Sequence, residues 1–206
     1  MRRCVRFSCP ARSTLLEALF TSTAVVALAE IGDKTQLLAI VLAARFRRPW
    51  PIVAGILAAT LANHFLAALV GEQAAVFLAG RWFRYLVAAG FIAMAAWTLV
   101  PDTFDEATEA APSRFGPFLA TMIAFFIVEM GDKTQIATIA LGAHFQSVVA
   151  VTMGTTLGMM IANVPAVFLG NALISRVPLK VVRTVAAVVF LAIGLVLLAQ
   201  TAGWTG

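Results

Sequence analysis

Two stretches of this chain carry the same reactive side chains in the same order: Glu30-Ile31-Gly32-Asp33-Lys34-Thr35-Gln36 and Glu129-Met130-Gly131-Asp132-Lys133-Thr134-Gln135. Each offers two carboxylates, an ammonium, a hydroxyl and an amide within seven residues. Carboxylate, hydroxyl and amide oxygens form a hard ligand set suited to Ca²⁺, Mn²⁺ or Mg²⁺, and no cysteine lies in an apolar stretch to select a soft metal. Glu30, Asp33, Glu129 and Asp132, assisted by Gln36 and Gln135, are therefore candidate metal ligands. Thr35, Thr134, Lys34 and Lys133 stand beside them as secondary ion-site or coupling residues.

Both motifs lie inside long apolar runs. A charged side chain at the centre of a membrane costs about 2.5–3.5 kcal/mol on insertion scales, so Glu30, Asp33, Lys34, Glu129, Asp132 and Lys133 together would cost roughly 15–20 kcal/mol. Such a cost points to function. On a continuous helix, spacings of three and four residues would place Glu30, Asp33 and Lys34 on one broad face, and likewise Glu129, Asp132 and Lys133. A purely structural alternative has each Glu neutralising the Lys four residues on. One carboxylate per motif would still be unmatched, a net of minus two that one divalent cation or two protons would cancel. Metal and protons would then compete for the same oxygens, the requirement of an exchanger moving one divalent cation against about two protons.

The rest of the chain must position these charges. Its 206 residues are 61% hydrophobic and 12% charged, against roughly half and a quarter in soluble domains, which excludes a soluble globule. The apolar runs fall at about 14–44, 51–71, 82–100, 116–143, 148–170 and 179–200. Between them lie Pro49 and Pro51, Arg81 and Trp82, the polar stretch 101–115, and Pro178 before Lys180. The pattern predicts an all-α integral membrane protein of six transmembrane helices, because lipid leaves no partner for unpaired backbone groups and the runs lack the alternation of barrel strands.

Residues 29–46 laid over 128–145, an offset of 99, show ten identities in eighteen without a gap. Gly55, Ala59, Ala62, Asn63 and Gly71 are echoed by Gly154, Gly158, Ala162, Asn163 and Gly170, with a one-residue slip. The chain therefore reads as one transport domain: a first repeat of about 14–100, an acidic linker at 101–115, and a second repeat of about 116–200. Three spans per half is odd, so the second half enters from the opposite side. Inverted repeats that meet at the midplane are a recurring plan of secondary transporters. Asn63 and Asn163 could lend oxygens to the ion or bond between helices. Gly32 and Gly131 permit either a local break or close packing.

The doubled Glu-x-Gly-Asp-Lys-Thr resembles the signature of the manganese and calcium transporter family found in bacterial membranes, chloroplasts and the Golgi. The likeness covers nearly the whole chain. It implies cation/proton antiport with Mn²⁺ or Ca²⁺ as the transported substrate, and it places the acidic residues of both motifs at the ion.

The remaining features fit around this. A surplus of 15 Lys and Arg over 10 Asp and Glu could suggest nucleic acid, but the basic residues flank apolar runs, as Arg45, Arg47 and Arg48 do, like juxtamembrane anchors. No nucleic-acid partner is expected; the partners are divalent cations, protons and the bilayer. Cys4 and Cys9 have no spaced partners and read as inert thiols. The basic start followed by Ala27-Leu28-Ala29 resembles a signal-peptidase site, but cutting there would destroy half of one repeat, so no cleavage is expected. His64 could relay protons or simply pack. Asp102, Asp105, Glu106 and Glu109 read as a solvated loop. A compact chain without long tails suits a bacterial inner membrane, while the spread of basic residues leaves the orientation of the termini open. An intramembrane aspartyl protease using Asp33 and Asp132 is the enzymatic rival, disfavoured by the Glu-x-Gly-Asp context and the extra lysines; a small-solute exporter would need fewer carboxylates. No enzyme and no resident cofactor are expected.

Overall fold

The computed structural model describes residues 12–78, 80–100, 116–170 and 178–204. Among them all regular structure is helical: α1 (Arg12–Glu30), α2 (Lys34–Phe46), α3 (Pro49–Phe77), α4 (Arg81–Thr98), α5 (Pro117–Glu129), α6 (Lys133–Phe145), α7 (Val148–Leu169) and α8 (Leu179–Ala202). Cys4, Cys9 and the linker 101–115 with its acidic cluster lie outside the described residues. Each apolar run coincides with a helix, except that the first and fourth are each split in two. By length and composition α3, α7 and α8 can cross a membrane, and α1 with α2, bent by 71°, makes a fourth if taken as one span.

Local chemistry sets the helix ends. Proline occupies the first turn of α3 and of α5, where its missing N–H has no helical partner to lose. At the far ends of α2 and α6, Arg47 and Gln146 adopt left-handed backbone (φ 52° and 48°) and donate their N–H groups to Ala43 and Gly142 carbonyls. Ala43 and Gly142 are 99 residues apart, so the two halves end this element in the same way.

The same offset organises the core. One apolar cluster holds Leu38, Leu42, Ile52, Ala124 and Val167; a second holds Ala137, Leu141, Val151, Val25 and Ala68. Each of these five residues of the first has its counterpart 99 residues away in the second. Every cluster draws on both halves, because α1 packs most extensively on α7 while α5 packs on α3, and α2 meets α7 while α6 meets α3. Close approach makes this possible: a Cβ on Gly154 would lie 2.5 Å from the Leu19 carbonyl, and one on Gly55 would lie 2.7 Å from that of Phe118. Gly71 presses on α6 in the same manner, whereas Gly170 has open space and terminates α7, so that sequence echo has no shared packing role.

The burial pattern reverses that of a soluble protein. Ser22, Thr60, Asn63, His64, Thr121 and Thr155 are fully buried, while Phe65, Leu66, Val70, Val181, Val188 and Leu195 face outward. An outer surface of aliphatic and aromatic side chains around an interior that buries polar groups beside its apolar clusters is suited to lipid.

Candidate functional site

The two motifs are the two breaks. Gly32 and Gly131 adopt φ of +81° and +80°, a conformation that costs L-residues with a side chain roughly 1–2 kcal/mol. The preceding helices stop at Glu30 and Glu129, whose carbonyls accept from the N–H groups of Asp33 (3.0 Å) and Asp132 (3.2 Å). Asp33 and Asp132 then act as N-caps of α2 and α6, each accepting the N–H two residues on at 3.5 Å. At the third helical position, the amide oxygens of Gln36 and Gln135 reach back to accept from the N–H groups of Gly32 (3.0 Å) and Gly131 (2.7 Å). This is a capping box displaced by one residue. Glu ends the helix, Gly turns the chain, Asp restarts it and Gln ties the turn.

The expectation of one continuous helical face is therefore corrected. A left-handed glycine between Glu30 and Asp33 removes the three- and four-residue geometry that would have paired Glu30 with Lys34. Lys34 Nζ instead lies 2.6 Å from Asp132 Oδ1, across the boundary between the halves. Of the two readings of the glycines, the break is common to both. Close packing holds only at Gly32, where a Cβ would strike Leu179; a Cβ on Gly131 would meet nothing within 4 Å.

Folding the breaks against each other brings Glu30, Asp33 and Asp132 together: one carboxylate oxygen of each lies within 4.8 Å of the others, and all three are buried. Glu129 is fully buried and within electrostatic reach of Glu30, but is not a member of that trio. Thr35 and Thr134 donate their hydroxyls to Oε2 of Glu30 (2.5 Å) and of Glu129 (2.9 Å). The other oxygen of each glutamate, Oε1, is buried with no hydrogen-bond partner among the described residues. Buried polar atoms are nearly always satisfied, so these two oxygens are open to a proton, a donor or a cation. Asp33 also lines a small recess with Ala29, Gly32, Thr98, Lys133 and Arg183. Thr98 and Arg183 carry no motif, and nothing in the sequence marked them.

The other predicted residues make bonds to neighbouring helices or within their own. Gln36 Nε2 donates to the Ala162 carbonyl (2.9 Å) and Gln135 Nε2 to Asn63 Oδ1 (2.8 Å), so both glutamines brace α7 and α3 against the breaks. Asn63 also donates to the Phe126 carbonyl (3.3 Å) and joins three helices. Asn163 is turned differently: its amide nitrogen bonds within α7 to Met159, and its Oδ1 is buried without a partner among the described residues. Lys133, buried, donates to the Val100 carbonyl (3.2 Å) and sits 5.9 Å from the Trp97 ring centre. The two lysines, equivalent in sequence, do different things in the structure.

The family model described as the divalent cation/proton antiporter GDT1 matches residues 18–106 and 117–204, one match over each half and each containing one break. The chain belongs to the GDT1 family. A protein of Vibrio cholerae named "Putative manganese exporter" is 47% identical over 91% of this chain and 92% of its own length. A GDT1-like protein of Synechocystis is 30% identical over 85% of this chain and 94% of its own, and GDT1-like protein 5 of Arabidopsis thaliana is 25% identical over 88% and 95%. No solved structure matches. Membership in the GDT1 family assigns the chain to divalent-cation transport in a membrane and to transporters rather than enzymes, which leaves the aspartyl-protease alternative without support. Within that family the doubled motif gains a structural meaning, since each copy builds one break and the breaks meet.

Proposed function

We propose that this protein is a secondary transporter exchanging Mn²⁺ or Ca²⁺ for protons, with one site formed by Glu30, Asp33, Glu129 and Asp132 between two inverted three-helix repeats. In this reading each broken pair counts as one span, giving six, and the membrane is a bacterial inner membrane. Mn²⁺ comes first among the cargoes, in line with the name of the Vibrio cholerae relative. The observation that carries the reading is the buried trio of Glu30, Asp33 and Asp132, drawn from both halves, with unpartnered glutamate oxygens beside it.

The chemistry follows from charge. The four carboxylates and two lysines of the motifs sum to minus two, and only deprotonated carboxylates bind a cation, so arrival of a divalent ion displaces protons. Gln36, Gln135 and Asn63 serve as braces that hold the breaks open; Thr35 and Thr134 each hold one oxygen of a glutamate and so orient its carboxylate toward the ion. Lys34 neutralises Asp132 across the halves and so couples occupancy to their relative position.

The test is flux in proteoliposomes carrying a metal-sensitive dye. An imposed pH gradient should drive Mn²⁺ uphill, and Glu30→Gln should abolish this flux. Metal movement indifferent to the gradient would refute proton exchange, and equal flux in the variant would refute the site.

A further inference from the structure

His64, in the middle of α3, is fully buried, and neither of its ring nitrogens has a hydrogen-bond partner among the described residues. Its Nε2 faces Glu129 Oε2 at 3.9 Å. That separation is too long for a hydrogen bond. It is the spacing of two ligands on one ion: bonds of about 2.1–2.3 Å set neighbouring ligand atoms roughly 3–4.5 Å apart, depending on the angle between them. Glu129 Oε1 is also unpartnered. An imidazole and a carboxylate thus confront each other deep in the protein with three unsatisfied atoms between them, although such groups are almost always satisfied. Packing alone would leave this arrangement unexplained, since an apolar side chain of similar volume would fill the space without stranding two nitrogens.

Resting on the proposed cation site, we infer that His64 supplies an imidazole nitrogen to the transported ion and thereby selects Mn²⁺ over Ca²⁺ and Mg²⁺. Carboxylate oxygens accept all three cations. Ca²⁺ and Mg²⁺ are bound through oxygen, whereas a first-row transition ion gains from a nitrogen donor. The nitrogen is single. In the register that aligns Asn63 with Asn163, the counterpart of His64 is Val164, and the other histidine, His144, lies in the last turn of α6, at the opposite end from the break. One nitrogen among carboxylates keeps the site hard enough for Mn²⁺, the weakest binder of its series, where several would favour the later metals.

The test uses purified full-length protein in lipid nanodiscs, loaded with Mn²⁺ and examined by pulsed electron paramagnetic resonance. Bound Mn²⁺ in the wild type should show nitrogen coupling of a coordinated imidazole, which changes isotope signature when the histidines are ¹⁵N-labelled and disappears in His64→Gln. In parallel, His64→Gln should weaken Mn²⁺ binding about tenfold or more while Ca²⁺ binding changes less than threefold. Bound Mn²⁺ without any nitrogen coupling, or equal losses for both ions in His64→Gln, would overturn the inference and leave the acidic site standing. Wild-type protein that binds neither ion, or Glu30→Gln and Asp132→Asn variants that bind as well as wild type, would overturn the site itself and the role of His64 with it.

Discussion

Removing Lys34 tests the contact that joins the halves. In sequence, Lys34 is four residues after Glu30 and belongs to the same motif; in the structure its Nζ is 2.6 Å from Asp132 Oδ1, with the lysine 29% exposed and the aspartate 4%. A double-mutant cycle over Lys34→Met and Asp132→Asn should therefore show coupling, and one over Lys34→Met and Glu30→Gln should show little. Contacting charged residues couple by about 0.5–3 kcal/mol, and partial exposure of Lys34 favours the middle of that range, about 1–2 kcal/mol. For a chain of this size 1 kcal/mol corresponds to about 2–4 °C in melting temperature, so the double variant should melt roughly 2–8 °C above the additive expectation. Melting in a fixed detergent at one scan rate, followed by tryptophan fluorescence, is adequate because only differences are compared. Additivity for Lys34 with Asp132, together with coupling of Lys34 to Glu30, would mean that the motif closes on itself and that the halves do not share their charges.

The twin glycines separate backbone strain from packing: Gly131→Ala should destabilise by about 1–2 kcal/mol from its left-handed backbone alone, whereas Gly32→Ala, which also drives a Cβ into Leu179, should cost more in the same melting assay. Equal effects would show that Leu179 yields freely. Mn²⁺ affinity, measured by calorimetry in buffers of different ionisation enthalpy, should fall as pH falls, with about two protons released per ion bound, because only deprotonated carboxylates bind metal; affinity unchanged between pH 6 and 8 would count against competition. Gln135→Leu, which removes the tie to Gly131 and the bond to Asn63, should lower stability by about 1–3 kcal/mol and slow transport while sparing the cargo preference measured by competition between Mn²⁺ and Ca²⁺.

Much of the centre was legible because its signal is repetition. An offset of 99 residues, matching motifs and six charges in apolar runs name Glu30, Asp33, Glu129 and Asp132, with Gln36 and Gln135, as candidate ligands, and three of these six share the buried trio. The break was harder to read, since glycine in an apolar helix serves close packing and turning equally well; only φ distinguishes them, and here both glycines turn. The partner of Lys34 was hidden because spacing reports neighbours on an intact helix, and this helix is not intact. Asn63 and Asn163 look interchangeable in sequence, yet one joins three helices and the other bonds within its own, a difference set by what each facing helix presents. His64 has no echo in the second half, so no pattern could promote it above an ordinary core residue. Its stranded nitrogens are a property of the packed structure alone.

Because α1 is covered by α7 and α5 by α3, neither half closes its own interior. During synthesis the first hundred or so residues are made while Asp132, the partner of Lys34, has not yet been made. Assembly of the acidic centre is thus a late event in biogenesis, waiting on the ribosome to deliver the second half. Two fragments severed within 101–115 would have to find each other before the acidic centre could form.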